Sequence, residues 1–237
     1  MLIATAGQKR IHTLPGYGLD IREANADSVA WWLSDGIDPL NVAGAWTPKG
    51  KANQAASYLR DAGSDGYANI DPAIVGGVAP GWDGVNGWKP GAGAYLKTGI
   101  IPSGNTWSAI IKISNRTSVG TVELGSFTAP AKRSLEIVAA LNAGQCAFGH
   151  GSTATPTAAP NVAAGTLAIA GGNAYVNGSF ATAIVQDTVQ SGVELYIHAL
   201  NFSGGAAFFS DAYIQAIAVY NVTITAPQVA AVHAAMP

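Results

Sequence analysis

The stretch GWDGVNGWKPGAGAYLKTGIIP, residues 81–102, sets two tryptophans on either side of a Gly/Asn turn. Trp82 and Trp88 can each bury about 150–250 Å², far more than any one thin strand otherwise would. Asp83-Gly84 and Asn86-Gly87 favour tight turns, because glycine accepts positive φ without a side-chain clash. After the Gly91-Ala92-Gly93 break comes a short apolar segment, Ala94 to Ile101, read as a strand. The pattern is that of a chain entering the core of a β-sandwich.

Composition points the same way. Of the 237 residues 49% are hydrophobic and 11% charged, with 29 Gly and 12 Pro. Disordered chains show the reverse balance. Plentiful Ala, Gly, Val, Thr and Ser, with little Lys or Glu, favour strands and turns over helices. A net charge of -2 gives no basic face for nucleic acid. No apolar run approaches the ~20 residues that cross a bilayer, so no membrane insertion is expected. The opening MLIATAGQKRIHTLPG has no signal-peptide pattern. Cys146 stands alone, so neither an intrachain disulfide nor a cysteine zinc cluster can form.

Outward from residues 81–102, the chain divides into 1–28, rich in charge and turn signals, and 29–237. The first segment reads either as an arm for oligomerisation or attachment, or as an edge strand of the same domain. Ala30-Trp31-Trp32-Leu33 reads as a short strand, Val42 to Pro48 as another, Ala55 to Arg60 as a strand or helical turn, and Asp61 to Val78 as loop. In Thr106 to Asn115, Trp107, Ala109, Ile111 and Ile113 share one face, the period of a strand with one side in the core. Ser118 to Phe127 and Ser134 to Leu141 continue the pattern, with Leu135, Ile137, Ala139 and Leu141 on one face. Gly149 to Gly165 reads as a low-complexity loop. Asn177-Gly178 between β-rich runs predicts a two-residue hairpin turn. Val193 to Phe202 and Tyr213 to Val222 predict two more strands. A short helix closes the chain, capped by Thr225 with Gln228 three residues on and Pro227 in the first turn. The architecture expected is all-β, a two-sheet antiparallel jelly-roll sandwich with one C-terminal helix.

These residues carry a resemblance. Trp82-Asp83-Gly84-Val85-Asn86-Gly87-Trp88 with Ala94 to Ile100 resembles the "WDxxxGWxFxGxxYLxTGI" block of laminin-G-like domains in the concanavalin A-like lectin/glucanase superfamily. Ala174 to Gly178 resembles its "xYVNG" hairpin, and Ile214 to Asn221 with the final helix its "IxAxAIYNxxLTxxQV" ending. Ala30 to Leu33 and Ala45 to Gly50 resemble variants of bacteriophage sequences. The resemblance spans roughly residues 29–237. It implies two sheets packed face to face, in a family of lectins, glucan hydrolases and structural virion modules, so fold alone does not fix function.

Laminarinase-type members carry Glu, Asp and Glu at alternating positions on one strand, which sets a nucleophile and an acid/base on one face. The four glutamates here, Glu23, Glu123, Glu136 and Glu194, do not begin such a motif. His12, His150, His198 and His233 lack metal spacing, and no G-x-S-x-G elbow occurs. The expectation is therefore a non-enzymatic protein with no catalytic residues, metal or cofactor. For glycan binding, Glu194, Tyr196 and His198 alternate outward if Val193, Leu195 and Ile197 point in, with Lys112 and Gln215 joining them on the same sheet; the opposite assignment is the alternative, since Leu200 and Phe202 continue the set of Glu194, Tyr196 and His198. An ordinary solvated sheet face is the competing reading. The function expected is a virion surface protein (tail, fibre or head surface) attaching to cell-surface glycans, with other virion proteins as partners and a homo-oligomer, a trimer by family analogy. A capsid-decorating protein without sugar binding, and a glucan hydrolase, are the alternatives.

Overall fold

A computed structural model describes residues 30–62, 79–128, 132–141, 144–151, 154–160, 162–186 and 191–237. The charged segment 1–28 and most of the 61–78 loop thus lie outside the described residues. In chain order the strands are β1 Val42–Trp46, β2 Gly81–Asp83, β3 Gly87–Lys89, β4 Leu96–Lys97, β5 Ser108–Ser114, β6 Leu124–Thr128, β7 Lys132–Leu141, β8 Gln145–Gly151, β9 Ala154–Pro160, β10 Gly165–Ala170, β11 Asn173–Val176, β12 Ser179–Ala183, β13 Tyr196–Ile197, β14 Leu200–Phe202, β15 Gly205–Ala207 and β16 Tyr213–Tyr220. One helical turn, α1 (Gln54–Ser57), and the closing helix α2 (Ala226–Ala235) accompany them.

The strands form two sheets. The first runs β12-β11-β10-β5-β16-β3-β2, with β1 also on β16; the second runs β15-β14-β6-β7-β8-β9, with β13 between β6 and β4. Between them lies one apolar core containing Trp46, Trp88, Ile111, Ile113, Ile137, Phe148 and Ile217. The expected sandwich is present, and the face assigned to Ala109, Ile111 and Ile113 is the one that enters this core.

The 81–102 stretch forms the expected tryptophan hairpin, whereas the strand expected over Ala94 to Ile101 is confined to Leu96–Lys97. β2 and β3 form a hairpin that sets Trp82 opposite Trp88. Trp88 is fully buried and donates its indole N–H to Ser57 Oγ at 3.0 Å, while Trp82 donates to Pro48 O at 2.8 Å. Burying one such ring at about 25 cal/mol per Å² amounts to about 4–6 kcal/mol of gross transfer free energy. The Asn177-Gly178 turn has φ of 49° and 76° at its two positions, as a two-residue hairpin demands.

Likewise the strand read over Ser118 to Phe127 is β6, Leu124–Thr128, and other local readings differ from the structure. Trp31–Gly36 forms 3-10 turns rather than a strand. A strand would send Trp31 and Trp32 to opposite faces. The turn instead keeps the rings edge to face at 5.4 Å and packs Trp31 with Val229 and Val232 of α2 over the outer face of the first sheet. The segment 149–165 is largely strand, with β9 antiparallel to β8. Its prolines are tolerated because β9 is the outermost strand of its sheet. Leu141 leaves the face of Leu135, Ile137 and Ala139 and joins Val122, Val138 and Leu200 on the outer side. A register shift between Val138 and Leu141 carries it across, since one inserted residue reverses the side-chain alternation. Finally, 193–202 is two strands: β13 pairs antiparallel with β6 and β14 pairs parallel with the same strand. The chain reverses at His198, whose φ is 67°.

The closing helix carries the expected capping box between Thr225 and Gln228. Thr225→Ala should lower stability by about 1 kcal/mol, measurable as a shift of the urea midpoint at unchanged slope. An unaltered midpoint would show that packing of Val229 and Val232 alone holds α2.

Candidate functional site

The outer faces of the two sheets differ. That of the first sheet is covered: Val42, Ala45, Ile110, Ala168, Tyr175, Ala216 and Tyr220 pack beneath Trp31, Val229, Val232 and Met236. On the outer face of the second sheet, β6, β7 and the β14–β15 hairpin border a groove of about 290 Å³ lined by Val122, Phe127, Arg133, Glu136, Val138, Leu141, Leu200, Phe202 and Phe208. Phe202 and Phe208 are 44% and 55% exposed.

Strand geometry makes this groove aromatic at one end. Phe127 and Phe202 occupy paired positions on neighbouring parallel strands, so their rings stack, with centroids 4.9 Å apart and an 18° interplanar angle. Arg133 lies over the Phe127 ring at 4.8 Å. Its Nε donates to Glu136 Oε2 at 2.5 Å. Burial raises the Glu136 pKa, and the Arg133 guanidinium opposes that rise. The result is an apolar platform with one cation and one carboxylate at its rim. Such mostly apolar clefts with a few convergent polar groups are where proteins bind small ligands. Sugars match this mixture, presenting C–H faces to rings and hydroxyls to charged groups.

The residues expected at the site separate. Lys112 on β5 and Gln215 on β16 belong to the first sheet, not to the sheet of β13. Lys112 donates to Met236 O at 2.9 Å, and Gln215 donates to Ser114 Oγ at 3.4 Å. Both are engaged near the covered face. Glu194 and Tyr196 do come together, at a second cleft of about 520 Å³ with Lys97, Gly99, Asn201 and Gly204. Tyr196 is no stacking platform there, because its ring lies against Tyr95 at 4.8 Å and is 2% exposed. Burial, then the neighbouring Glu194, pushes its hydroxyl up to about 12. His198 is fully buried rather than outward. Among the described residues neither of its ring nitrogens has a hydrogen-bond partner, and burial pulls its pKa down to about 3. The reversal at this residue removes it from the alternation of β13. A single strand would have placed Leu200 and Phe202 on the face of Glu194 and Tyr196; the reversal instead puts Leu200 and Phe202 at the groove and leaves Glu194 and Tyr196 at the second cleft.

Phe127, Arg133, Glu136, Phe202 and Phe208 were not expected at a site. The available signal was Phe127 and Phe202, apolar residues at the ends of two strands; their pairing required the parallel β6–β14 contact, which no local pattern encodes. Among the described residues no group of three His, Cys, Asp or Glu side chains could hold a metal ion. Asp83 accepts from the Val85 and Asn86 N–H groups at 2.7 and 3.2 Å, so it organises its own turn, and Asp211 accepts from Thr117 and Ser118, so it ties the loop after β5 to the segment before β16.

No family model matches the chain, and neither does any curated protein. Among solved structures it is similar to domain 4 of AbnA, a GH43 extracellular arabinanase from Geobacillus stearothermophilus in complex with arabinotriose. The identity is 16%, the match covers 81% of this chain and 98% of that domain, and the TM-score is 0.58. It is also similar to the Trypanosoma rangeli sialidase in complex with 2,3-difluorosialic acid, at 16% identity, 83% of this chain, 33% of the sialidase and a TM-score of 0.56. The chain thus spans about a third of the sialidase. These likenesses are compatible with a concanavalin A-like jelly roll. They also overturn the expectation that the chain is not an enzyme. The chains sharing its sandwich come from glycoside hydrolases, so the missing Glu/Asp/Glu strand motif is no ground for excluding hydrolysis.

Proposed function

We propose that this chain binds an oligosaccharide in the aromatic groove on the outer face of the second sheet. One observation carries the reading. The outer face of the first sheet is sealed by α2 and the 3-10 turns, whereas that of the second exposes stacked Phe127 and Phe202 beside the Arg133–Glu136 pair. Support comes from AbnA domain 4, a domain of similar extent whose structure is a complex with arabinotriose. A virion surface as the setting, with other virion proteins and a homo-oligomer as partners, rests on the sequence resemblance at Ala30 to Leu33 and Ala45 to Gly50.

The test is a glycan array with the native protein and Phe202→Ala. Phe202 is half-exposed, so its truncation should leave the core intact while removing a platform worth about tenfold in affinity. A blank array for the native protein, or equal signals for the two, would sink the proposal. Reducing-sugar release, assayed in the same samples, separates a domain that holds its glycan from one that also cleaves it.

A further inference from the structure

We infer that the cleft holding Glu194 and Lys97 is a second saccharide subsite, which reads the hydroxyl edge of an uncharged sugar, so that one glycan chain contacts both sides of the β14–β15 hairpin. The inference rests on glycan binding in the aromatic groove. Leu200 and Phe202 line that groove, whereas Asn201, between them, lines the second cleft together with Gly204. Neighbouring side chains on a strand face opposite sides, and consecutive Cα atoms lie about 3.8 Å apart. One cleft therefore begins a single residue from where the other ends.

The second cleft is firmly built. Asn201 is 2% exposed; its amide donates to Glu194 O at 2.8 Å and accepts from Gly204 N–H at 2.9 Å. It thereby ties the hairpin tip to the segment before β13. Glu194 Oε2 accepts from Gly99 N–H at 2.9 Å, which fixes the carboxylate. Lys97 has no ion-pair partner among the described residues. Gly99, Gly192 and Gly204 adopt φ of 71°, 70° and 95°, and a Cβ at any of them would meet nothing within 4 Å. Part of the wall is thus backbone alone, and the space beside it is open.

The chemistry of the donor set selects the ligand. A carboxylate only accepts and an ammonium only donates, while a sugar hydroxyl does both. A vicinal diol can therefore give a hydrogen to Glu194 and take one from Lys97. The two charges cancel, which leaves no preference for an ionic ligand. With the Tyr196 ring buried, this cleft offers no stacking face. It complements the aromatic groove, whose rings read C–H surfaces.

The experiment compares three-unit and six-unit arabino-, laminari-, cello- and malto-oligosaccharides by calorimetry, on the native protein and on Lys97→Gln, Glu194→Gln and Phe202→Ala. Gln at 194 retains an acceptor for Gly99, so the cleft keeps its shape. In the series that binds, the native protein should hold the six-unit chain about tenfold or more tighter than the three-unit chain. Lys97→Gln and Glu194→Gln should each weaken the six-unit chain about 3–10-fold, the loss of one hydrogen bond, and leave the three-unit chain unchanged. Phe202→Ala should weaken both. Equal affinity for the two lengths, or six-unit binding indifferent to both cleft variants, overturns the second subsite even where Phe202→Ala abolishes binding and the groove stands. Failure of the native protein to bind any of the four series overturns the groove reading and the subsite together.

Discussion

Gly87→Ala is expected to cost more than about 4 kcal/mol, the range reserved for severe backbone or core damage. Gly87 sits at φ 89°, where an L side chain is strained, and a Cβ there would lie 2.1 Å from Ile214 O and 3.0 Å from Gln215 Cα. Those atoms belong to β16, a strand paired with β1, β3 and β5, so the neighbour cannot move aside as a flexible side chain would. Trp88, the next residue, is the buried ring opposite Trp82, and any retreat of the hairpin would pull it from the core. For a domain of this size the loss corresponds to a fall in Tm of about 8–16 °C, or to no soluble protein at all. Gly50 supplies the control. Its φ is 79° but nothing lies within 4 Å of an added Cβ, so Gly50→Ala should cost only the left-handed strain of about 1–2 kcal/mol. Melting temperatures that fall equally in the two variants would show that the close approach to Ile214 is not the cause.

The second large effect concerns Glu123, which anchors the hairpin that borders both clefts. Its backbone carbonyl accepts from His198 N–H at 3.0 Å, and His198 O accepts from Ser210 N–H at 2.8 Å, which closes the base of the hairpin. Its side chain accepts from Ala139 N–H at 2.6 Å and from Ser210 Oγ at 3.4 Å. Burial pushes its pKa from 4.5 to about 7, against the hydrogen bond from Ala139 and the pull of Arg116. An acid whose folded pKa lies above its unfolded value holds its proton more tightly in the native state. The associated stability is complete below about pH 4.5 and lost as pH rises through about 7, amounting to roughly 3 kcal/mol. His198 acts in the opposite sense. Its pKa is depressed to about 3 by burial, so its stability is present above 6.5 and lost on acidification. Between about pH 4.5 and 6.5 the two slopes oppose each other, and the native protein alone would conceal both. Glu123→Gln isolates the first, since glutamine copies the neutral acid and can still accept from Ala139 while donating to Ser210. Relative to the native protein, the variant should gain roughly 3 kcal/mol between pH 5 and pH 8, read by urea denaturation at each pH. A stability difference that stays constant across that range would mean that Glu123 is already ionised in the fold.

Much of the sandwich was legible because strands with one face in the core alternate with period two. The sequence 108–114 and the Asn177-Gly178 turn carry their structure in their own chemistry. So does the capped helix, for which Thr225, Pro227 and Gln228 suffice. The readings that differed share a cause. Trp31 and Trp32 turn because a helix distant in sequence offers them a surface. The Ala/Thr/Pro run at 154–160 extends because β8 is available to pair with it. Leu141 changes face at a register shift, and His198 reverses a segment whose apolar residues look like one strand.

The same distinction governs function. Glu194 and Tyr196 were chosen from alternation along one segment and do meet at a cleft, although only Tyr196 lies in β13 and Glu194 precedes it. Lys112 and Gln215 lie on the other layer of the sandwich, because alternation gives the face of a strand and says nothing of the sheet it joins. By itself, then, the sequence determined the class of fold, the tryptophan-anchored hairpin and the closing helix, all properties of residues near one another along the chain. Only the tertiary structure decided that the first sheet is covered and the second open, and that Phe127 meets Phe202. Those outcomes depend on strand pairing between remote segments, where burial and the hydrogen-bond ladder select partners that no local pattern names.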